Sequence, residues 1–128
     1  MRSEDFLKGG KVYVLKKKFA VIKSKRTHPG AFANIIDRNE ITVIAGQTDY
    51  PRKDAIAVEK GWRILTFDMT LPFGLVGFLA KVSGALAEED IPIFALSAYS
   101  TDHLLVKQKD LAKAEKKLRS LGLIVKEE

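Results

Sequence analysis

Short apolar runs dominate the first third of the chain, and a helical spacing of apolar residues takes over in the second half. Lys11–Leu15 and Phe19–Ser24 are rich in strand formers (Val12, Tyr13, Val14, then Phe19, Val21, Ile22) and are separated by Lys16-Lys17-Lys18, which predicts a hairpin. Thr27-His28-Pro29-Gly30 is a turn signal. Ala31–Arg38 sets Ala31 and Ile35, with Phe32 and Ile36, at a spacing that predicts a short helix stopped by Asn39. Ile41–Ala45 is a continuous apolar strand closed by Gly46. Gln47–Lys60, of mixed charge and with Pro51, reads as a connector and an internal boundary.

Beyond it, Trp62–Asp68 reads as a strand on the bulk of Trp62, Ile64, Leu65 and Phe67. Leu75, Phe78, Leu79, Val82 and Leu86 recur at helical spacing over residues 75–88, and Gly77 and Gly84 on that helix suggest close backbone packing. Glu88-Glu89-Asp90 opposes the dipole at the helix end, so the chain is expected to turn there. Ile91–Tyr99 reads as a strand starting at Pro92, Ser100-Thr101-Asp102 as a turn, and His103–Lys107 as the returning strand. Asp110 is placed to cap a helix over 111–121 with Leu111, Ala114, Leu118 and Leu121 on one face, ended by Gly122. Leu123–Val125 is the last strand. From residue 62 the order is β-α-β-β-α-β, the split βαβ arrangement of ferredoxin-like α+β domains, and the first half gives a partial β-β-α-β version.

Composition narrows the chemistry. The 128 residues include no cysteine, which excludes disulfides, zinc–thiolate sites and thiol catalysis. His28 and His103 are the only histidines, so a multi-histidine metal site is excluded, and no cofactor is expected. Apolar runs stay far short of the roughly 20 residues of a membrane helix, and no secretory leader is recognisable. A cytoplasmic domain is expected. The net charge of +6 sits at the N-terminus, where residues 1–26 hold nine Lys/Arg against two Asp/Glu. Lys16, Lys17, Lys18, Lys23, Lys25 and Arg26 read either as a nucleic-acid patch or as lysines guarding a sheet edge. The second is favoured, because no strand carries the stacking aromatics of a single-strand RNA reader.

The most specific segment is Ile93-Phe94-Ala95-Leu96-Ser97-Ala98-Tyr99-Ser100-Thr101-Asp102-His103-Leu104-Leu105-Val106, together with Glu40-Ile41-Thr42-Val43 and Gly61-Trp62-Arg63. These resemble the tandem ACT-domain family of amino-acid-binding proteins, in the branch of stand-alone ACT proteins related to the eukaryotic cytosolic arginine sensor. Ala98 stands where that run usually has Thr, and His103 where it has Tyr. The resemblance implies a ferredoxin-like βαββαβ ACT fold in two ACT-like halves sharing a sheet. Residues 1–60 would form a partial half with the basic hairpin, and residues 61–128 a complete domain.

An α-amino acid offers a carboxylate, an ammonium and a side chain. Leu71-Pro72-Phe73-Gly74-Leu75-Val76-Gly77 leads from a strand into a helix start, where free N–H groups and the positive dipole end suit a carboxylate. The resemblance implies that Leu71, Phe73, Gly74, Leu75, Val76 and Gly77 form the ligand loop. Residue by residue, Gly74 also reads as a turn glycine, Gly77 as a packing glycine and Phe73 as core. Ser97, Tyr99, Thr101 and Asp102 border the next turn. Asp102 is either an acceptor for a ligand ammonium or a turn residue. The expected function is a non-catalytic, amino-acid-binding regulatory or sensor module. Its expected partners are a free amino acid, a second copy in a homodimer and a separate enzyme or regulator, with no membrane. The alternative is a basic nucleic-acid-binding protein using the N-terminal segment. An enzyme of acylphosphatase type is disfavoured, since the loop at 69–77 lacks the Arg and Asn such chemistry needs.

Overall fold

The long strand Ala55–Phe67 organises the chain. The computed structural model describes residues 4–73 and 75–128. In order it shows α1 (Glu4–Leu7), β1 (Lys11–Val14), β2 (Phe19–Ser24), β3 (Ala33–Ile36), β4 (Ile41–Gly46), β5 (Ala55–Phe67), α2 (Phe78–Glu88), β6 (Phe94–Ser97), β7 (Asp102–Lys107), α3 (Leu111–Ser120) and β8 (Ile124–Glu127). Strand order is β3-β4-β2-β5-β1-β8, with β7 pairing β5 and β6. The architecture is α+β, and β5-α2-β6-β7-α3-β8 is the ferredoxin-like βαββαβ unit. Contacts divide the chain into residues 1–16 with 63–128, and residues 17–62. In the smaller unit β5 pairs with β2 along Ala55–Trp62, and in the larger with β1 along Leu65–Phe67.

In the larger unit, β1 enters between β5 and β8, antiparallel to the first and parallel to the second. A ferredoxin-like sheet normally pairs its first and last strands directly, so the N-terminal strand is an insertion into the domain formed by the second half. The hairpin expected of 11–15 and 19–24 therefore does not form: β1 bonds to β5 and β8, while β2 bonds to β4 and β5. Strand β5, 13 residues long, is long enough to serve both. One core holds the unit together. Val12, Val14, Leu65, Phe67, Leu104, Val106 and Val125 from the strands meet Phe78, Val82, Leu86, Ala114 and Leu118 from the helices. Phe67 and Phe78 meet edge to face, centroids 5.6 Å apart, the geometry that aligns ring quadrupoles favourably.

Helices α2 and α3 end in the same left-handed device. Gly122 (φ 99°) donates to Arg119 O, and Leu123 donates to Leu118 O, so two last-turn carbonyls are satisfied. At the end of α2 the same position is Asp90, at φ 57°, where Asp90 N donates to Ala87 O and Ile91 N to Leu86 O. The acids that oppose the dipole of α2 are answered by Lys117 of α3, whose Nζ lies 3.7 Å from Glu88 and 3.9 Å from Glu89. Two details depart from expectation. Asp110 precedes α3 but makes no side-chain cap bond; its own backbone is already helical (φ −100°, ψ −5°) in the 3-10 turn Gln108–Asp110, not in the extended form a capping side chain uses. Gly84 is exposed with nothing within 4 Å of where a Cβ would sit, so it marks no close packing.

A buried guanidinium joins three segments of this unit. Arg63, 7% exposed, donates through Nε and Nη2 to Leu15 O, through Nη1 to Gln108 Oε1, and reaches Glu127 Oε1 at 3.3 Å.

The smaller unit is a sheet of β3, β4, β2 and the first stretch of β5, with Ala20, Ile22, Val43 and Ala45 buried on it. The strand at Ile41–Gly46 is as expected, but the helix expected over 31–38 is replaced by β3, paired with β4 from Ala33↔Ile44 to Ile36↔Ile41. An eight-residue helix is marginal alone, whereas the ladder satisfies the backbone and suits Ile35-Ile36. Asn34 pins the strand by accepting from His28 N and donating to His28 O. Asp37 Oδ1 accepts from Asn39 N and Glu40 N to close the β3–β4 turn. The connector expected over 47–60 is shorter, because β5 starts at Ala55.

Arg63→Ala leaves the Leu15 carbonyl without its donors and is expected to cost about 2–3 kcal/mol, read as a fall in the urea midpoint. Asp90→Gly relieves the left-handed backbone and removes a charge from the negative end of α2. It is expected to raise stability by about 0.5–1 kcal/mol in the same assay.

Candidate functional site

Two connections of the larger unit lie side by side. One runs from the end of β5 to α2; the other is the β6–β7 turn. Leu71 N donates to Ser100 O at 2.8 Å and ties the first to the second. Leu75 N donates to Pro72 O, which folds the loop on itself, and Gly77 takes φ 85° to start α2. A side chain at Gly77 would be strained there although the space is open. No side chain caps α2, and its first turn holds no acid. Its leading N–H groups therefore keep their positive end unneutralised. In the turn, Ala98 N donates to Thr101 O at 2.8 Å, and Ser97 Oγ donates to Asp102 Oδ1 at 2.6 Å across the β6–β7 pair.

These connections line a solvent-open cavity of about 350 Å³. Leu71, Phe73, Leu75, Gly77, Ser97, Tyr99, Thr101 and Asp102 line it, eight of the ten residues expected at the site. Val76 lies on the same loop, outside the cavity wall and 76% exposed. Gly74 lies outside the described residues. The wall also includes Pro72, Phe78, Leu79, Ala80, Ala98 and Ser100, which the sequence reading did not assign. The first turn of α2 could have been included from its position after the loop; Phe78 was hidden because the apolar spacing marks it as core, and it serves both.

Asp102 is the one carboxylate on this wall among the described residues, and no Lys, Arg or His lines it. Phe73 and Tyr99 are not core. They are 78% and 82% exposed and meet edge to face at 4.9 Å. His103 follows Asp102 along β7, and Thr66 Oγ1 lies 2.9 Å from its Nδ1. Burial pushes the His103 imidazole below the ordinary histidine value, and the Asp102 carboxylate pulls it partly back.

Elsewhere, no cluster among the described residues has three or more groups suited to a metal. No described helix is long and apolar enough to cross a membrane. Two members of the basic segment are paired: Lys17 with Asp49 at 3.2 Å, where it also lies over the Phe19 ring, and Arg26 with Asp54 at 3.3 Å.

Comparison with known proteins bears on the family and the fold. The ACT-domain family model matches residues 57–120, half of the chain, and the chain belongs to that family. No curated protein matches it in sequence. Solved structures share its fold. A protein from Agobacterium tumefaciens is 23% identical, with 94% of each chain covered and a TM-score of 0.80. A Vibrio cholerae protein of unknown function, described as a possible transport protein, is 16% identical over 93% of this chain and 94% of its own, with a TM-score of 0.76. The ligand-free regulatory subunit of aspartate kinase from Thermus thermophilus is 7% identical over 90% of this chain and 98% of its own, with a TM-score of 0.62.

The histidine gives a pH prediction. Its folded value lies below the ordinary 6.5, so between the two the unfolded chain binds more protons. Stability is then complete above about pH 6.5 and declines as pH falls through that window. Urea midpoints at about pH 7.5 and about pH 5.5 are expected to differ more for the wild type than for His103→Gln.

Proposed function

We propose that this protein is a non-catalytic regulatory module that binds a free α-amino acid in the cavity between Leu71–Gly77 and Ser97–Asp102. One observation carries the reading: a single cavity has both the uncapped positive end of α2 and the Asp102 carboxylate on its wall. These are the two partners that the carboxylate and ammonium of a zwitterion require. Ser97 holds Asp102 in place, so the acceptor is positioned before a ligand arrives. Membership of the ACT family and a fold shared with an aspartate kinase regulatory subunit support a regulatory role.

The finer relation, to the branch that includes the eukaryotic cytosolic arginine sensor, rests on the resemblance of residues 93–106. We place the module in the cytoplasm, as a homodimer acting on a separate enzyme or regulator. Val76 supports the dimer, since this large apolar side chain stands exposed beside the cavity and outside its wall. We propose a partial ACT-like half over 1–60 and a complete one over 61–128, with strand β1 of the first inserted into the sheet of the second. Nucleic-acid binding through the basic segment is the weaker reading, because Lys17 and Arg26 already have carboxylate partners.

A thermal-shift screen against the twenty amino acids, followed by calorimetry, tests the proposal. At least one is expected to raise the melting temperature, by the equivalent of about 2.7 kcal/mol at 100 times its Kd. Asp102→Ala is expected to weaken that binding by about 1.5–3 kcal/mol, and Lys23→Ala to leave it unchanged. Absence of binding by every amino acid at millimolar concentration overturns the reading.

A further inference from the structure

We infer that the ligand of this cavity carries an uncharged, apolar side chain and that the cavity rejects amino acids with acidic side chains. This deepens the amino-acid reading above and rests on it. The described wall holds one carboxylate, Asp102, and no basic side chain. An α-ammonium takes up that carboxylate, whose Oδ1 already accepts from Ser97, and an α-carboxylate takes up the N–H groups of the first turn of α2. No charged group of the wall is then left for the ligand side chain.

A second carboxylate, as in glutamate, would share the cavity with Asp102 and find no cation to neutralise it. Like charges at a few ångströms repel, and the repulsion grows as the bound ligand displaces water from between them. A second cation, as in arginine, would compete with the ammonium for one carboxylate. The rest of the wall is suited to neither. Leu71, Leu75, Leu79 and Ala98 line it, and Phe73 and Tyr99 stand at the same cavity with most of their ring surface open to solvent. Covering that surface with an aliphatic or aromatic side chain removes apolar area from water. Selection is thus partly by attraction to the apolar wall and partly by an unanswered charge against the wrong ligand.

Calorimetry of the whole chain with leucine, phenylalanine, arginine and glutamate as separate probes tests this. Leucine or phenylalanine is expected to bind at least about tenfold more tightly than glutamate, and more tightly than arginine. Asp102→Asn keeps the acceptor for Ser97 and removes the charge. It is expected to weaken leucine and phenylalanine and to narrow their lead over glutamate. Phe73→Ala is expected to weaken phenylalanine more than alanine, with circular dichroism confirming that the variant folds. Glutamate or arginine binding as tightly as leucine and phenylalanine in the wild type overturns the inference and leaves the amino-acid reading standing. If none of the twenty amino acids binds, that reading falls and the inference with it. The wild-type comparison decides the matter even where a variant does not fold.

Discussion

A single buried guanidinium sets the frame on which the site is built. Arg63 sits on β5 and has to satisfy its donors away from water, because an unpaired buried cation costs several kcal/mol. It does so with the backbone at the end of β1, with Gln108 in the turn before α3, and with Glu127 on β8. These partners come from three stretches of sequence up to 64 residues away. Fixing them together with β5 fixes the inserted strand and both of its neighbours. Once that stretch of β5 is held, Phe67 is presented to the core and meets Phe78 of α2. The start of α2 is thereby set, and with it one side of the cavity.

The cavity itself is held by few contacts. The Leu71–Ser100 backbone bond, the Ser97–Asp102 bond and the Phe73–Tyr99 ring contact connect or stiffen its two sides. On the β5–α2 side Leu71 and Leu75 pack against the core, while Phe73 and Tyr99 stand outside it. The polar bonds fix direction, so that Asp102 faces the cavity, while the exposed rings leave its mouth accessible. Such a division suits a site that must admit and release a small polar molecule, since tightly packed interiors do not open without cost.

Much of the larger unit was legible from the chain. Phe78, Val82 and Leu86 at helical spacing, and Leu111, Ala114 and Leu118 likewise, mark faces whose burial is a local consequence of period. The C-terminal ends of both helices were legible for the same reason, because Gly122 and the acidic run at 88–90 act on the adjacent turn, whereas the start of α2, expected at residue 75, falls at Phe78. The misreadings concern non-local choices. Phe32-Ala33-Asn34-Ile35-Ile36 fits a short helix by spacing, and only the β4 ladder and the Asn34 bonds to His28 make it a strand. The runs at 11–15 and 19–24 look like a hairpin because they are adjacent in sequence, yet a strand about forty residues later bonds to both. Glu59 and Lys60 concealed the first half of that strand, since it is exposed there and has no buried face to reveal its period. At the site, the turn residues and Asp102 were readable from their chemistry. Phe73 and Tyr99 were named as well, but their ring contact was not legible, and Phe73 read residue by residue as core because a lone aromatic gives no sign of its exposure.

The same geometry bears on how such a module would work. On the proposed reading, a ligand touches the first turn of α2 and the β6–β7 turn at once. It can act on a partner only by favouring one arrangement of these segments over another. The two are already joined by the Leu71–Ser100 bond and the Phe73–Tyr99 contact, so the ligand reinforces an existing link and need not create one. A site linked in this way binds with little cost of ordering. The difference between free and bound states then falls on the surface that is exposed at the cavity, the rings of Phe73 and Tyr99 and the neighbouring Val76. A partner that contacts this apolar rim would sense occupancy directly, without a rearrangement of the sheet. That places the coupling between ligand and partner in the loops, and leaves the buried Arg63 network as the rigid base against which they act.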